Sequence, residues 1–194
     1  MARTVIGGLV AGLILFVVGF IFWASPLSRI AYTDIEDLAG ARVQSALRDN
    51  LSTTGTGTYH IPSPESSQGR ALYERGPVAV VHFNSRGFLA EDMGMVVTGF
   101  IFALIAGLLI AFGLTAVGGG GRSFTATARL IVLYSVGITF WTILAQPVFN
   151  HYGWGYWIYA FFAETVALIL AGLAVARWFL PPARSAPADA PTEV

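Results

Sequence analysis

Long unbroken apolar runs dominate the chain, and four of them cover residues 5–24, 95–117, 130–148 and 154–176. Each holds roughly twenty residues, the length an α-helix needs to cross a hydrocarbon core of ~30 Å at ~1.5 Å per residue. The pattern predicts an integral membrane α-helical protein: a four-transmembrane-helix bundle with a small α+β extracytoplasmic cap. The expected division is residues 1–24 for the first transmembrane helix, 25–94 for the cap and 95–117 for the second helix. A cytoplasmic loop (118–129), a third helix (130–148), a fourth (154–180) and a disordered cytoplasmic tail (181–194) complete it. The first run is too long for the apolar part of a signal peptide, and Phe22 and Trp23 make a poor cleavage site before Ala24. It reads as an uncleaved span.

Between the first two runs the pattern changes to short elements. Thr33-Asp34-Ile35-Glu36 has the form of a capping box, in which threonine and glutamate satisfy backbone N–H groups at a helix start. Ile35, Leu38, Val43, Ala46 and Leu47 then fall near one helical face. Residues 58–61 read as a short strand. Ser63-Pro64-Glu65 predicts a second helix start, Gly76-Pro77 its stop, and residues 78–84 alternate as a strand. Two short strands are marginal by themselves, so this segment is expected to rest on the spans, a second copy or a partner.

The phrase Gly57-Thr58-Tyr59-His60-Ile61-Pro62, followed by Gly76-Pro77 and a β-rich run, carries a resemblance. It is similar to a family of small bacterial inner-membrane proteins with one span, an extracytoplasmic cap and further spans. The resemblance implies that architecture and a bacterial inner-membrane location. No activity comes with it, and no site residue.

Composition agrees with the membrane class: 55% of residues are hydrophobic and 11% charged, against ~25% charged in soluble domains. Formal net charge is zero, so no nucleic-acid partner is expected. All eleven basic residues are arginine. Arg3, Arg122, Arg129, Arg177 and Arg184 lie in the short flanks of the spans, so the positive-inside rule predicts a multi-pass protein with both termini cytoplasmic. The chain has no cysteine, which removes disulfides and thiolate metal sites.

One carboxylate, Glu164, interrupts the fourth run. A charge at bilayer depth is costly unless protonated, paired or facing polar protein. Ser135, Thr139, Thr142 and Gln146 of the third run recur at spacings of four, three and four, which puts them on one helical face. Counting back from the turn near Asn150 sets Glu164 level with Ser135 to Thr139. Ala160, Ala167 and Ala171 share its face, so the expectation is a buried acid meeting a hydroxyl-lined track. It serves either as a structural hydrogen bond or as an exchanger of a proton, cation or polar headgroup. Only Pro147 breaks a span, near its end, which weighs against a transport pathway.

Other features have simpler readings. Trp154, Tyr156, Trp157 and Tyr159 form an interfacial aromatic belt, or line a pocket for a lipid, quinone or pigment. Gly8 and Gly12, with Gly99, Ala103, Gly107 and Ala111, form small-residue ribbons for helix packing. His60 and His82 sit on the two strands and could make a metal site with Glu91 or Asp92, but no metal-binding spacing is present, so they read as surface histidines and no metal site is assigned. Gly118 to Gly121 lacks the Lys-Ser/Thr ending of a phosphate loop and reads as a turn. No catalytic constellation or catalytic residue is present, and no resident cofactor is expected. The chain is expected to be a non-catalytic accessory or scaffold subunit of the inner membrane. The alternative is a small transporter or lipid- or quinone-binding protein using Glu164. The expected partners are membrane lipids and either another membrane protein or a second copy.

Overall fold

In the computed structural model, which describes residues 1–118 and 122–180, the elements run α1 (Ala2–Trp23), a 3₁₀ turn (Pro26–Ile30), α2 (Asp37–Leu51), β1 (Gly57–Ile61), α3 (Ser67–Arg75), β2 (Ala79–Phe83), α4 (Met93–Gly118), α5 (Phe124–Thr139), a π turn (Phe140–Leu144), α6 (Ala145–Asn150) and α7 (Trp154–Trp178). The last three residues of the tetraglycine and the tail from 181 lie outside the described residues. Among the described residues four helices are long and apolar enough to cross a membrane: α1, α4, α7 and the continuous run Phe124–Asn150. The described residues are thus mostly helical, with one small two-stranded sheet. The chain divides into two compact units, Asp34–Asp92 and the helical remainder that flanks it.

In the helical unit α1 runs antiparallel to α4 and to α7, and α5 runs antiparallel to α7. The α1–α4 contact is built on glycine. A Cβ on Gly8 would stand 2.7 Å from the Leu108 Cα, and one on Gly12 would stand 2.6 Å from the Leu104 Cα. A Cβ on Gly107 would collide with the backbone of Gly8 and Gly12. Removing Cβ atoms lets the two backbones touch, which supplies the dispersion contact that drives helix association in lipid. One step along, Phe16 and Phe100 meet edge to face at 5.1 Å. α7 packs on α1 and on α5. Ala11, Ala111, Ala171 and Val175 form a buried cluster where α1, α4 and α7 converge. Arg3 donates to the carbonyl of Trp178 at 2.8 Å. A cation there satisfies one orphan carbonyl at the α7 C-terminus and complements its dipole.

Several boundaries differ from the sequence reading. Residues 25–33, expected in the cap, cluster with the helices: Ser25 caps the 3₁₀ turn by accepting from the Leu27 N–H, and Ala31 packs with Tyr159 and Ala163. The loop expected at 118–129 is shorter, because Ser123 accepts from the Ala126 N–H and starts α5 at Phe124. The third span is longer than residues 130–148 and contains the π turn. Pro147 lies three residues beyond the end of that turn: a proline ring clashes with the carbonyl four residues back, here Ile143, and the widened turn gives that carbonyl room.

The Asp34–Asp92 unit is a helix, strand, helix, strand arrangement. β1 and β2 pair antiparallel, with Thr58 opposite His82 and His60 opposite Val80. The Thr58 hydroxyl and His82 Nδ1 are 3.0 Å apart. Thr56 ties the strand ends together through Ser85, whose N–H donates to its hydroxyl at 3.1 Å. The capping box at Thr33 does not form; α2 begins at Asp37 without a side-chain cap. Likewise α3 begins at Ser67 and not at the proline: Ser66 caps it by accepting from the Gly69 N–H. Gly76, at φ 66°, ends α3 in a conformation that favours glycine. α2 has no buried residue.

Candidate functional site

The hydroxyl track is real for half its length. Ser135 and Thr139 are buried against α7, at 8% and 3% exposure. The Thr139 hydroxyl donates to the Ser135 carbonyl at 2.7 Å, and its oxygen lies 2.6 Å from the Thr165 hydroxyl. With the Thr139 proton committed to the carbonyl, Thr165 is the donor between the two. Beyond Thr139 the π turn inserts an extra residue per turn and rotates the later side chains off the face. Thr142 is exposed and bonds back to the Ile138 carbonyl at 2.7 Å. Gln146 reaches the Thr142 carbonyl and accepts from Asn150. The expected four-residue stripe is therefore two residues facing α7 and two turned away.

Glu164 does not meet that stripe. The depth read from the sequence is right, but the face is wrong by one residue: Thr165 fills the place assigned to the acid. Consecutive helical residues are rotated by ~100°. Glu164 is exposed and, among the described residues, has no hydrogen-bond or ion-pair partner. It shares its side of α7 with Ala171 and Val175, which are buried on α1 and α4. At the depth of Glu164, however, α1, α4 and α7 leave a gap. The carboxylate faces the resulting crevice, of ≈ 370 Å³, which is open along one side. Phe16, Gly19, Phe20, Gly99 and Ala103 line it. A Cβ on Gly19 or Gly99 would meet nothing within 4 Å. The small-residue ribbon of α4 thus has two uses: Gly107 and Ala111 are spent on intrachain packing, Ala103 lies between the Gly12 contact and the crevice wall, and Gly99 borders open space.

The aromatic group at the start of α7 also divides. Tyr156 and Tyr159 turn inward. The Tyr159 hydroxyl donates to the Phe22 carbonyl at 2.5 Å, and its ring meets Trp23 at 5.3 Å. Tyr156 packs on Trp23 and Tyr32. Trp157 stacks on Tyr152 at 5.6 Å, and Trp154 is half exposed. The two inward tyrosines fill the space between α1 and α7 with their own rings, where an aromatic-lined ligand pocket was the alternative.

A second groove of ≈ 340 Å³ lies between α4, α5 and α7, with Gly113, Tyr134, Ser135 and Gly172 among its walls. On the strands, His60 and His82 share a sheet face on diagonal positions. Among the described residues no three His, Cys, Asp or Glu side chains are grouped to hold a metal ion. Comparison of the chain with protein-family models, curated proteins and solved structures finds no match.

Proposed function

We propose that this chain is a non-catalytic accessory or scaffold subunit of a bacterial inner membrane, with both termini cytoplasmic and Asp34–Asp92 on the outer side. In this reading the crevice between α1, α4 and α7 receives part of another membrane protein. The observation that carries it is Glu164: a carboxylate in the middle of a spanning helix, without a hydrogen-bond or ion-pair partner among the described residues, on an apolar groove bordered by unused glycines. Such a side chain is costly in lipid and is retained where something covers it. The flanking arginines support the orientation. A second reading keeps the crevice for a lipid or quinone; the open side, which gives lateral access from the bilayer, supports it.

Photocrosslinking in native membranes tests the proposal. A benzoylphenylalanine at Phe20, in the crevice, should yield one discrete stoichiometric polypeptide adduct. The same probe at Phe102, exposed on α4 outside the crevice, should not. Gly99→Leu should abolish the Phe20 adduct. Adducts to lipid alone, or equal adducts from both positions, would sink the subunit reading.

A further inference from the structure

We infer that the occupant of the crevice is a single transmembrane helix of a different protein, and that a basic side chain at mid-bilayer depth on that helix pairs with Glu164. This rests on the reading of the crevice as a partner site and names the partner's chemistry.

Depth is the first argument. Glu164 is ten residues from Trp154 and fourteen from Trp178, or about 15 and 21 Å along the axis. A glutamate side chain is far too short to reach either interface. A cationic lipid headgroup, held at the interface, is likewise out of range. The complement must therefore be carried at this depth by something that itself crosses the bilayer.

Charge is the second. An ionised carboxylate only accepts hydrogen bonds, and the groove supplies no basic side chain. The arginines of the described spans, Arg3, Arg129 and Arg177, all lie towards span ends. A second copy would bring another Glu164 and no cation to the same level. An unpaired acid and an unpaired base are each unfavourable in lipid, and association relieves both.

Shape is the third. The groove follows α1 from Leu15 to Ala24 and α4 from Met95 to Ala103, so it is elongated along the helices. Its volume is at the low end for small-molecule sites, which enclose most of their ligand, and this one is open along its side. A rod laid lengthwise covers it. Gly19 and Gly99 stand free on the two walls, and small residues are what allow a further helix backbone to approach.

The test uses the full chain in phosphatidylcholine vesicles, carrying one fluorophore through Thr125→Cys, since the chain has no cysteine of its own. Binding is read by energy transfer to a labelled Leu/Ala transmembrane peptide of about 23 residues. One version has a single central arginine, the other leucine. The arginine peptide should bind roughly five- to thirtyfold tighter, the span expected of polar contacts between model helices. Glu164→Leu should erase that preference. Gly99→Leu should block binding, and Gly113→Leu, equally free of contacts but outside the crevice, should not. Equal binding of both peptides, blocked by Gly99→Leu, would overturn the charge pairing and leave the crevice as a partner site. Binding indifferent to Gly99→Leu would overturn the crevice reading itself. Energy transfer between two copies of the chain, abolished by Gly99→Leu, would assign the crevice to self-association. Binding of neither peptide would also overturn the inference.

Discussion

The hydroxyls of Thr139 on α5 and Thr165 on α7 lie 2.6 Å apart, and they form the buried side-chain hydrogen bond between these two helices. About two turns away on the same pair, a Cβ on Gly172 would stand 2.8 Å from Ile131 Cγ2. The α5–α7 seam thus combines one polar link with one close approach. A double-mutant cycle of Thr139→Val and Thr165→Val, read by denaturant unfolding in mixed micelles, should give a coupling of about 0.6 kcal/mol and no more than ~1.7 kcal/mol. Zero coupling would mean that the bond does not hold the helices.

The glycines of α4 should divide sharply in their tolerance. Gly107 touches the backbone of Gly8 and Gly12, whereas Gly99 borders open space. Gly107→Leu should therefore destabilise the protein by at least the ~1–3 kcal/mol typical of overpacking, because the obstacle is backbone and not a movable side chain. Gly99→Leu should be near neutral. Thermal unfolding of the two variants in mild detergent, compared with the parent, separates them. Equal melting temperatures would refute the glycine-built α1–α4 contact.

The spans, the strands and the glycine-built α1–α4 contact were legible from the sequence because each depends on a local rule. Length over apolar residues marks a helix that can cross, and alternation marks a strand. Depth was legible too: counting from the Asn150 turn placed Glu164 level with Thr139. The azimuth was not. It depends on which neighbours a helix has at that depth, and at Glu164 those neighbours leave a crevice between α1, α4 and α7. The π turn was equally hidden. A proline near a span end predicts a disturbed turn, but not that the disturbance rotates Thr142 and Gln146 away from Ser135 and Thr139.

The arginine distribution predicts opposite exposure for two sites. Thr53, just past α2, should face outward, and Thr125, at the start of α5, should face the cytoplasm. Single cysteines at each position, in a chain otherwise free of them, can be probed with an impermeant maleimide on spheroplasts. Thr53→Cys should label in intact cells and Thr125→Cys only after lysis. Labelling of Thr125→Cys from outside would invert the topology.

The Asp34–Asp92 unit should not be a stable domain when excised. Its sheet has two strands, α2 has no buried residue and α3 buries only Gly69. A two-stranded hairpin is marginal in water, and so small a unit buries little apolar surface. Circular dichroism of the isolated segment should show a shallow, non-cooperative melt. A sharp two-state transition would show that its internal contacts suffice.

Glu164 gives the prediction that most clearly separates the structure from the sequence pattern. If the acid were bonded to Thr139, Glu164→Leu would break an intramembrane hydrogen bond and cost stability. In the structure that bond belongs to Thr165, and the carboxylate faces the open crevice with no hydrogen-bond or ion-pair partner among the described residues. Replacing it by leucine removes a side chain that is unfavourable at bilayer depth, by ~2.5–3.5 kcal/mol for a central aspartate on insertion scales, and breaks no contact. The isolated protein should therefore be as stable as the parent or more so, while Thr165→Val loses stability. Membrane insertion efficiency of α7 should rise with the same substitution. The cost should appear only when the partner is present, as loss of the crevice adduct in native membranes. A clear drop in the melting temperature of purified Glu164→Leu, alongside an unchanged Thr165→Val, would restore the buried-acid reading and remove the basis for a partner at this site.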